Sequence, residues 1–175
     1  LKNALVAVHQ EATQQQADLR DYASTLLVVI RYYDISGHWM CLSYSVGDGV
    51  MALYQPTTKV QLLNAADSGE YAGQTRFFND EAVTDEALVT RINVHSSHYE
   101  DILLLMTDGI SDPFFETDNQ LKKLSCWDVL WQDLQQKQVL LDEKNLLNWL
   151  DFWSAGNHDD RTIIVVLGLD ESGVS

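Results

Sequence analysis

The residues ILLLMTDGISD, at positions 102–112, carry the strongest structural signal in the chain. An apolar run leads directly into Thr107, Asp108 and Gly109, which predicts a buried strand over 102–107 that ends beside a carboxylate. The edge of a buried strand holds a carboxylate rigidly, and the adjacent glycine lets a backbone or a ligand approach closely. Asp108 is therefore the first candidate site residue.

Two other segments share this design. Asp48 stands between two glycines after a predicted strand at 39–46, and Asp159 and Asp160 immediately precede a predicted strand at 162–167. Mg²⁺ and Mn²⁺ prefer such hard oxygen ligands and keep several waters, so a few carboxylates suffice. Each segment alone is more often an ordinary turn, and it is the joint pattern that indicates a metal site.

Hydrophobic periodicity predicts the other elements. Apolar residues at helical spacing predict an amphipathic helix over 1–18, and β-branched, apolar runs after it predict short strands. Residues 64–88 lose this periodicity, which indicates a long loop of a kind that is often functional. Further strands are predicted at 25–33, 50–54, 60–63 and 88–94, and further helices near 121–134 and 146–153.

Strands grouped apart from helices are typical of α+β proteins. The sequence therefore predicts a single domain over 1–175 with antiparallel α+β layering. Because the chain opens within a helical pattern, we expect it to be truncated at its N-terminal end. Thr117 and Gln120 form a candidate capping box for the helices that follow the site.

Composition limits the classes of partner. The chain has a net charge of −15, from 11 basic and 26 acidic side chains, so it repels nucleic acids and anionic membranes but attracts cations. No apolar run approaches the roughly 18 residues of a membrane span. Cys41 and Cys126 stand in apolar contexts and are predicted to be reduced core residues, which indicates a cytoplasmic protein.

The order of the motifs resembles that of the protein phosphatase 2C family, the metal-dependent PPM phosphatases. Residues 23–27 are similar to the small-Ser-Thr strand start of the family, and 46–48 to its Gly-Asp-Ser turn. Residues 107–112 are similar to Ser-Asp-Gly-x-x-Asp, and 159–162 to Asp-Asn-x-Thr. The short segments between these motifs resemble the bacterial-type branch of the family. The resemblance implies an α/β/β/α-type sandwich of antiparallel sheets flanked by helices, incomplete at its N-terminal edge.

This resemblance implies a site for Mg²⁺ or Mn²⁺. Asp108 and Asp159 match positions that bind the pair of metal ions in the family. Asp48 and Asp112 match positions that can hold a third, weaker ion. The resemblance therefore implies two ions, and up to three, in the intact protein.

The same resemblance implies the reaction. The ions activate a water that attacks phosphomonoesters, chiefly phosphoserine and phosphothreonine in proteins, so no protein nucleophile is required. A phosphoprotein substrate is then the expected partner. Asp160 stands where the family has Asn, and we expect it, with Gly109, beside the metal ligands rather than among them.

One family motif is missing from residues 1–175. The family carries an early Asp-Gly-x-Gly whose Asp bridges both metals, and no such motif precedes Ala23. We therefore expect the chain to be the C-terminal portion of a phosphatase domain, inactive alone, with an exposed sheet edge that favours a homo-oligomer. The alternative is a non-catalytic phosphatase-like regulatory module that binds through residues 64–88.

Three histidines offer weaker candidates. His95 and His98 have a spacing like that of a zinc pair, but without further ligands they are predicted to lie in an exposed turn. His158, next to Asp159, is either an acid near a leaving group or an ordinary loop histidine, and the second interpretation is favoured.

Overall fold

The computed structural model describes residues 1–36, 38–65, 76–151 and 160–168. These residues form two compact units. The first unit comprises Leu1–Gly49 and Asn64–Ser96, and the second comprises Val50–Leu63 and Ser97–Ser175. That the units together form one domain, as the sequence predicts, stays a prediction.

The first unit contains a three-stranded sheet and its helices. The strand order is β1-β2-β5, and β1 pairs antiparallel with β2 so that Leu26 lies opposite Val46. The predicted N-terminal helix is confirmed and ends in a left-handed residue, Gln16. The elements are α1 (Lys2–Gln15), a 3-10 turn (Leu19–Tyr22), β1 (Leu26–Tyr33), β2 (Trp39–Val46), a second 3-10 turn (Glu81–Val83), α2 (Asp85–Arg91) and β5 (Asn93–Ser97).

The predicted strand at 88–94 is wrong in its first half, because residues up to Arg91 are helical. The Thr84 side chain accepts a hydrogen bond from the Ala87 N–H at 3.2 Å and thereby caps α2. Leu88 and Ile92, four residues apart, pack on the buried cluster of the first unit. This helical spacing outweighs the strand propensity of the β-branched residues between them.

Part of the predicted loop at 64–88 has regular structure. Residues 66–75 lie outside the described part of the chain. Of the rest, the 3-10 turn Glu81–Val83 and the start of α2 already have regular structure. The Phe78 N–H also donates to the Ser24 carbonyl at 2.8 Å, which ties this segment to the entry of β1.

The second unit contains a four-stranded sheet with helices. Its strand order is β4-β3-β6-β7, and all three pairings are antiparallel. The α+β class with antiparallel sheets and helices is therefore confirmed. The elements are β3 (Val50–Gln55), β4 (Lys59–Leu62), β6 (Ile102–Met106), α3 (Asp108–Phe114), α4 (Asp118–Leu121), α5 (Leu124–Gln136), α6 (Glu143–Leu150) and β7 (Ile163–Val166).

The core of the second unit lies on one face of this sheet. Alternate residues of β3 and β6, such as Tyr54 and Leu104, are buried with the apolar stripe of α5. The ring centroids of Trp127 and Trp131 lie 6.4 and 6.0 Å from that of Tyr54. This packing fixes β6, and so it fixes the position at which the chain leaves the sheet for α3.

The predicted capping box does not form. Thr117 is the N-cap of α4, but its side chain accepts no hydrogen bond there. The Gln120 side chain instead accepts a hydrogen bond, at 3.1 Å, from the N–H of Glu116, which is the residue before the N-cap. Cys41 and Cys126 are free thiols, as predicted, and Cys41 is fully buried. Among the described residues, no helix has the length and apolar character needed to cross a membrane.

Candidate functional site

Asp108 lies where β6 passes into α3. The Thr107 carbonyl accepts hydrogen bonds from the N–H groups of Ile110 and Ser111, both at 3.0 Å, and this begins the helix. Asp108 occupies the first turn, half-buried, and its Oδ1 accepts from the Gly109 N–H at 2.8 Å. A buried strand on one side and a helix start on the other hold this carboxylate. The sequence predicted the strand end but not the helix that follows it.

Gly109 allows a second segment to come against this turn. A Cβ atom at this position would lie 2.6 Å from the Asp160 carbonyl oxygen and 3.0 Å from Cγ of Arg161. Contacts that short do not occur for real side chains, so the lack of a side chain is what permits the approach. The close packing brings the backbone at Asp160 beside Asp108.

Thr107 connects the same two segments by hydrogen bonds. Its hydroxyl donates to the Asp160 carbonyl at 3.0 Å and accepts from the Thr162 N–H at 3.0 Å. The Thr107 N–H donates in turn to the Thr162 carbonyl at 3.1 Å. These bonds continue the β6–β7 pairing, in which Met106 lies opposite Ile163, beyond the end of the regular strands.

The structure also describes two other candidate ligands. Asp112 is on α3, one turn after Asp108, and it is exposed. Asp48 belongs to the first unit, where it is half-buried in the turn that follows β2. Gly47 in this turn has φ of +107°, and a side chain on it would overlap Thr25.

Among the described residues of the second unit, the structure brings together part of the predicted set. Asp108, Gly109 and Asp160 are neighbours in the second unit, and Asp112 shares the helix of Asp108. Asp159 and His158 lie outside the described residues, so their assignments stay predictions.

The prediction of a turn for His95 is wrong. His95 lies within β5, beside β2, and its Nε2 is 3.4 Å from the Ser43 hydroxyl oxygen. His98 follows the strand, with Nδ1 3.5 Å from Oε2 of Glu100. From Val94 to Ser97, exposed and half-buried residues alternate, as they do in a strand. The segment is mostly polar, so the sequence shows no apolar alternation that would predict this strand.

The donor chemistry at Asp108 fits a hard divalent cation in part. Its carboxylate stands at a rigid backbone junction, and the close packing at Gly109 leaves no side chain between the two segments. Within the described ranges, no three His, Cys, Asp or Glu side chains are grouped so as to hold a metal. Asp108 is thus a candidate ligand that needs others to complete a site.

Two residues that matter here were not singled out from the sequence. Thr107 directly precedes Asp108 and Gly109. A hydroxyl residue in that place is a signal for hydrogen bonds between its side chain and the backbone. Asp101, at the opposite end of β6, is fully buried. Two of its partners, Ser97 and His98, are near in sequence. The Gln55 and Lys59 side chains come from β3 and β4, so the sequence around Asp101 does not predict its burial.

Comparison with known families agrees with the motif order. The family model described as Protein phosphatase 2C matches residues 1–151. No curated protein matches the chain. The matched range includes Asp48, Asp108 and Asp112, whereas the segment at 159–162 lies beyond it.

Proposed function

The chain belongs to the protein phosphatase 2C family, and from this premise we propose that the intact protein hydrolyses phosphoserine and phosphothreonine in proteins with the aid of Mg²⁺ or Mn²⁺. The family membership implies a metal-dependent phosphatase. The residue class of the substrate and the identity of the ion are part of the proposal. The observation that carries it is the placement of Asp108 at the junction of β6 and α3, with the chain at Asp160 packed against it.

The proposed roles follow from that junction. Asp108 would bind a metal ion directly, and Asp159 would bind with it according to the motif register. Asp48 and Asp112 would serve a weaker third ion, and Asp160 would act beside the ligands. Bound Mg²⁺ or Mn²⁺ would supply a water of lowered pKa and positive charge opposite the phosphoryl oxygens.

The acidity of the chain makes the cation more important. With a net charge of −15, the protein surface opposes the approach of a phosphate group. A carboxylate site alone would add to this repulsion, whereas a site loaded with divalent ions reverses it locally. We therefore propose a phosphoprotein substrate whose phosphate is drawn in by the metal site and not by the general surface.

We also propose that residues 1–175 by themselves turn over little substrate. They contain no Asp-Gly-x-Gly, and the resemblance assigns the shared ligand of two ions to that motif. Two nearby cations without a shared carboxylate repel each other. If the full-length protein also lacks the motif, we propose the alternative, a non-catalytic phosphatase-like regulatory module that binds through residues 64–88.

The test is Mn²⁺-dependent hydrolysis of a chromogenic phosphomonoester by the full-length protein. Asp108→Asn should lower turnover by roughly 100-fold, because a metal ligand contributes several kcal/mol to the reaction. Asp118→Asn, which changes an exposed aspartate in the first turn of α4, is the matched control and should retain activity. Phosphopeptides that carry phosphoserine, phosphothreonine or phosphotyrosine then define the substrate class. Equal turnover by wild type and Asp108→Asn would refute the assignment.

A further inference from the structure

The Thr107 backbone takes part both in the pairing of the β6 and β7 segments and in the start of α3. Its N–H donates to the Thr162 carbonyl as in an antiparallel sheet, where paired residues normally exchange two hydrogen bonds. The Thr107 carbonyl, however, accepts from Ile110 and Ser111 at the start of α3. The returning Thr162 N–H therefore needs another acceptor if the pairing is to reach the turn.

The Thr107 hydroxyl provides this acceptor and also acts as a donor. It accepts from the Thr162 N–H at 3.0 Å, and it donates to the Asp160 carbonyl at 3.0 Å. A hydroxyl group can do both at once, since it has one hydrogen and two lone pairs. One side chain thus fixes two points of the segment that leads into β7.

Gly109 completes the arrangement from the other side of Asp108. Its bare Cα faces the same Asp160 carbonyl, at a distance that excludes any side chain. Asp108 is therefore flanked by two residues that contact one backbone group, one through a hydroxyl and one through close packing. This geometry restricts how far the Asp108 turn can move from the chain at Asp160.

We propose that Thr107 is a positioning residue for the metal site, acting through Asp108 by holding its turn against Asp160. The inference rests on the proposed function, since it assigns to the Thr107 hydroxyl a part in metal affinity beyond its part in folding. Partners that orient metal ligands without touching the ion commonly change metal affinity by 10- to 100-fold when removed. Valine at position 107 keeps the shape of threonine but neither donates nor accepts.

The experiment uses the full-length protein and measures Mn²⁺ affinity by calorimetry on the metal-free form, together with its melting temperature and its turnover. Thr107→Val should weaken Mn²⁺ binding by about 10-fold or more, whereas Thr107→Ser, which restores the hydroxyl, should stay within about twofold of wild type. Thr90→Val is the matched control. It removes a hydroxyl that donates to the Glu86 and Ala87 carbonyls within α2, and it should leave Mn²⁺ affinity unchanged.

The outcomes separate this inference from the function on which it rests. If wild type binds Mn²⁺ and hydrolyses substrate but Thr107→Val binds Mn²⁺ equally well, only the positioning role is overturned. If wild type neither binds Mn²⁺ nor hydrolyses substrate, the proposed function fails and the positioning role fails with it. Should Thr107→Val not fold, Thr107→Cys replaces it, because a thiol is only a weak donor and acceptor. Mn²⁺ affinity of the cysteine variant equal to that of Thr107→Ser would refute the proposal.

Discussion

The two ends of β6 each carry an aspartate, and the structure uses them differently. Asp101, before the strand, is fully buried, and both of its carboxylate oxygens bind protein groups. Asp108, after the strand, is half-buried at the start of a helix. The partners of Asp101 are the Gln55 side chain at 2.8 Å, Lys59 at 3.2 Å, the Ser97 hydroxyl at 3.3 Å and the His98 N–H at 2.6 Å.

This difference separates a structural carboxylate from a candidate ligand. A buried charge is tolerated when it is paired and hydrogen-bonded, and Asp101 meets this condition by joining the β3–β4 hairpin to the entry of β6. A carboxylate committed in this way has little capacity left for a metal ion. The junction at Asp108 instead holds the surrounding backbone in place, while the Asp108 residue stays partly accessible to solvent.

Replacing each aspartate by asparagine should separate the two roles. Asp101→Asn should lower stability, whereas Asp108→Asn should lower activity and leave stability almost unchanged. Asp101→Asn should lower the free energy of unfolding by about 2–3 kcal/mol, because one oxygen becomes an NH₂ group that faces donors. Asp108→Asn should change it by about 0.5 kcal/mol or less, the scale of a charge at a helix start. Urea denaturation of both variants measures this. Equal losses at the two positions would contradict the distinction.

Gly109→Ala tests whether the close packing of Gly109 against the Asp160 backbone is needed. The new methyl group would meet the Asp160 carbonyl at 2.6 Å, so the chain must shift or the two segments must separate. We expect a loss of about 1–3 kcal/mol in the free energy of unfolding, the usual range for overpacking. Ala87→Gly, in α2, changes the same pair of residue types in reverse and should cost about 1 kcal/mol through helix propensity alone. A stable Gly109→Ala variant with unchanged Mn²⁺ affinity would show that the contact is not needed.

Tyr54, at the Asp101 end of the sheet, gives a test that depends on pH. Burial, together with a 2.6 Å hydrogen bond to Asp128, raises the pKa of Tyr54 above its usual value of about 10. A raised folded-state pKa means that the stabilisation is fully present below pH 10 and is lost as the pH rises above it.

We expect Tyr54→Phe to be about 1 kcal/mol less stable than wild type at pH 7, and this gap should narrow above pH 10. Stability measured by denaturation from pH 7 to 11 tests this. Tyr33→Phe, at a half-exposed tyrosine on β1, is the control and should show no such convergence. If the difference in the free energy of unfolding between wild type and Tyr54→Phe stays constant with pH, the raised pKa of Tyr54 does not contribute to stability.

The smallest effect is expected at Lys59. Its ammonium group lies 3.2 Å from the buried Asp101 carboxylate, but its side chain is 45% exposed. Solvent can replace it, so Lys59→Gln should cost only about 0.5 kcal/mol. Lys137, at the end of α5, forms an ion pair with the half-buried Asp133, and Lys137→Gln gives the comparison. A loss at Lys59 as large as that of Asp101→Asn would mean that the ion pair, and not the set of hydrogen bonds, stabilises the Asp101 end.

Local patterns were sufficient for most of the fold. The strands at Trp39–Val46, Val50–Gln55 and Ile102–Met106 follow from apolar runs bounded by turns. The N-terminal helix follows from its apolar spacing. The strand predicted at 88–94 failed where a Thr84 cap and a helical pair of apolar residues outweighed β propensity, a balance that short windows resolve poorly.

The sequence by itself determined that the chain is an α+β protein of the phosphatase 2C type, and it located Asp108 at a strand end. Only the tertiary structure decided which aspartate beside β6 is fully buried among protein groups and which stays partly accessible. Asp101 and Asp108 lie near the two ends of the same apolar run in the sequence. Their roles depend on groups 46 residues away for Gln55 with Asp101, and 53 residues away for Thr107 with Asp160. Hydrogen bonds at such separations form only when strands pair, so no local pattern encodes them.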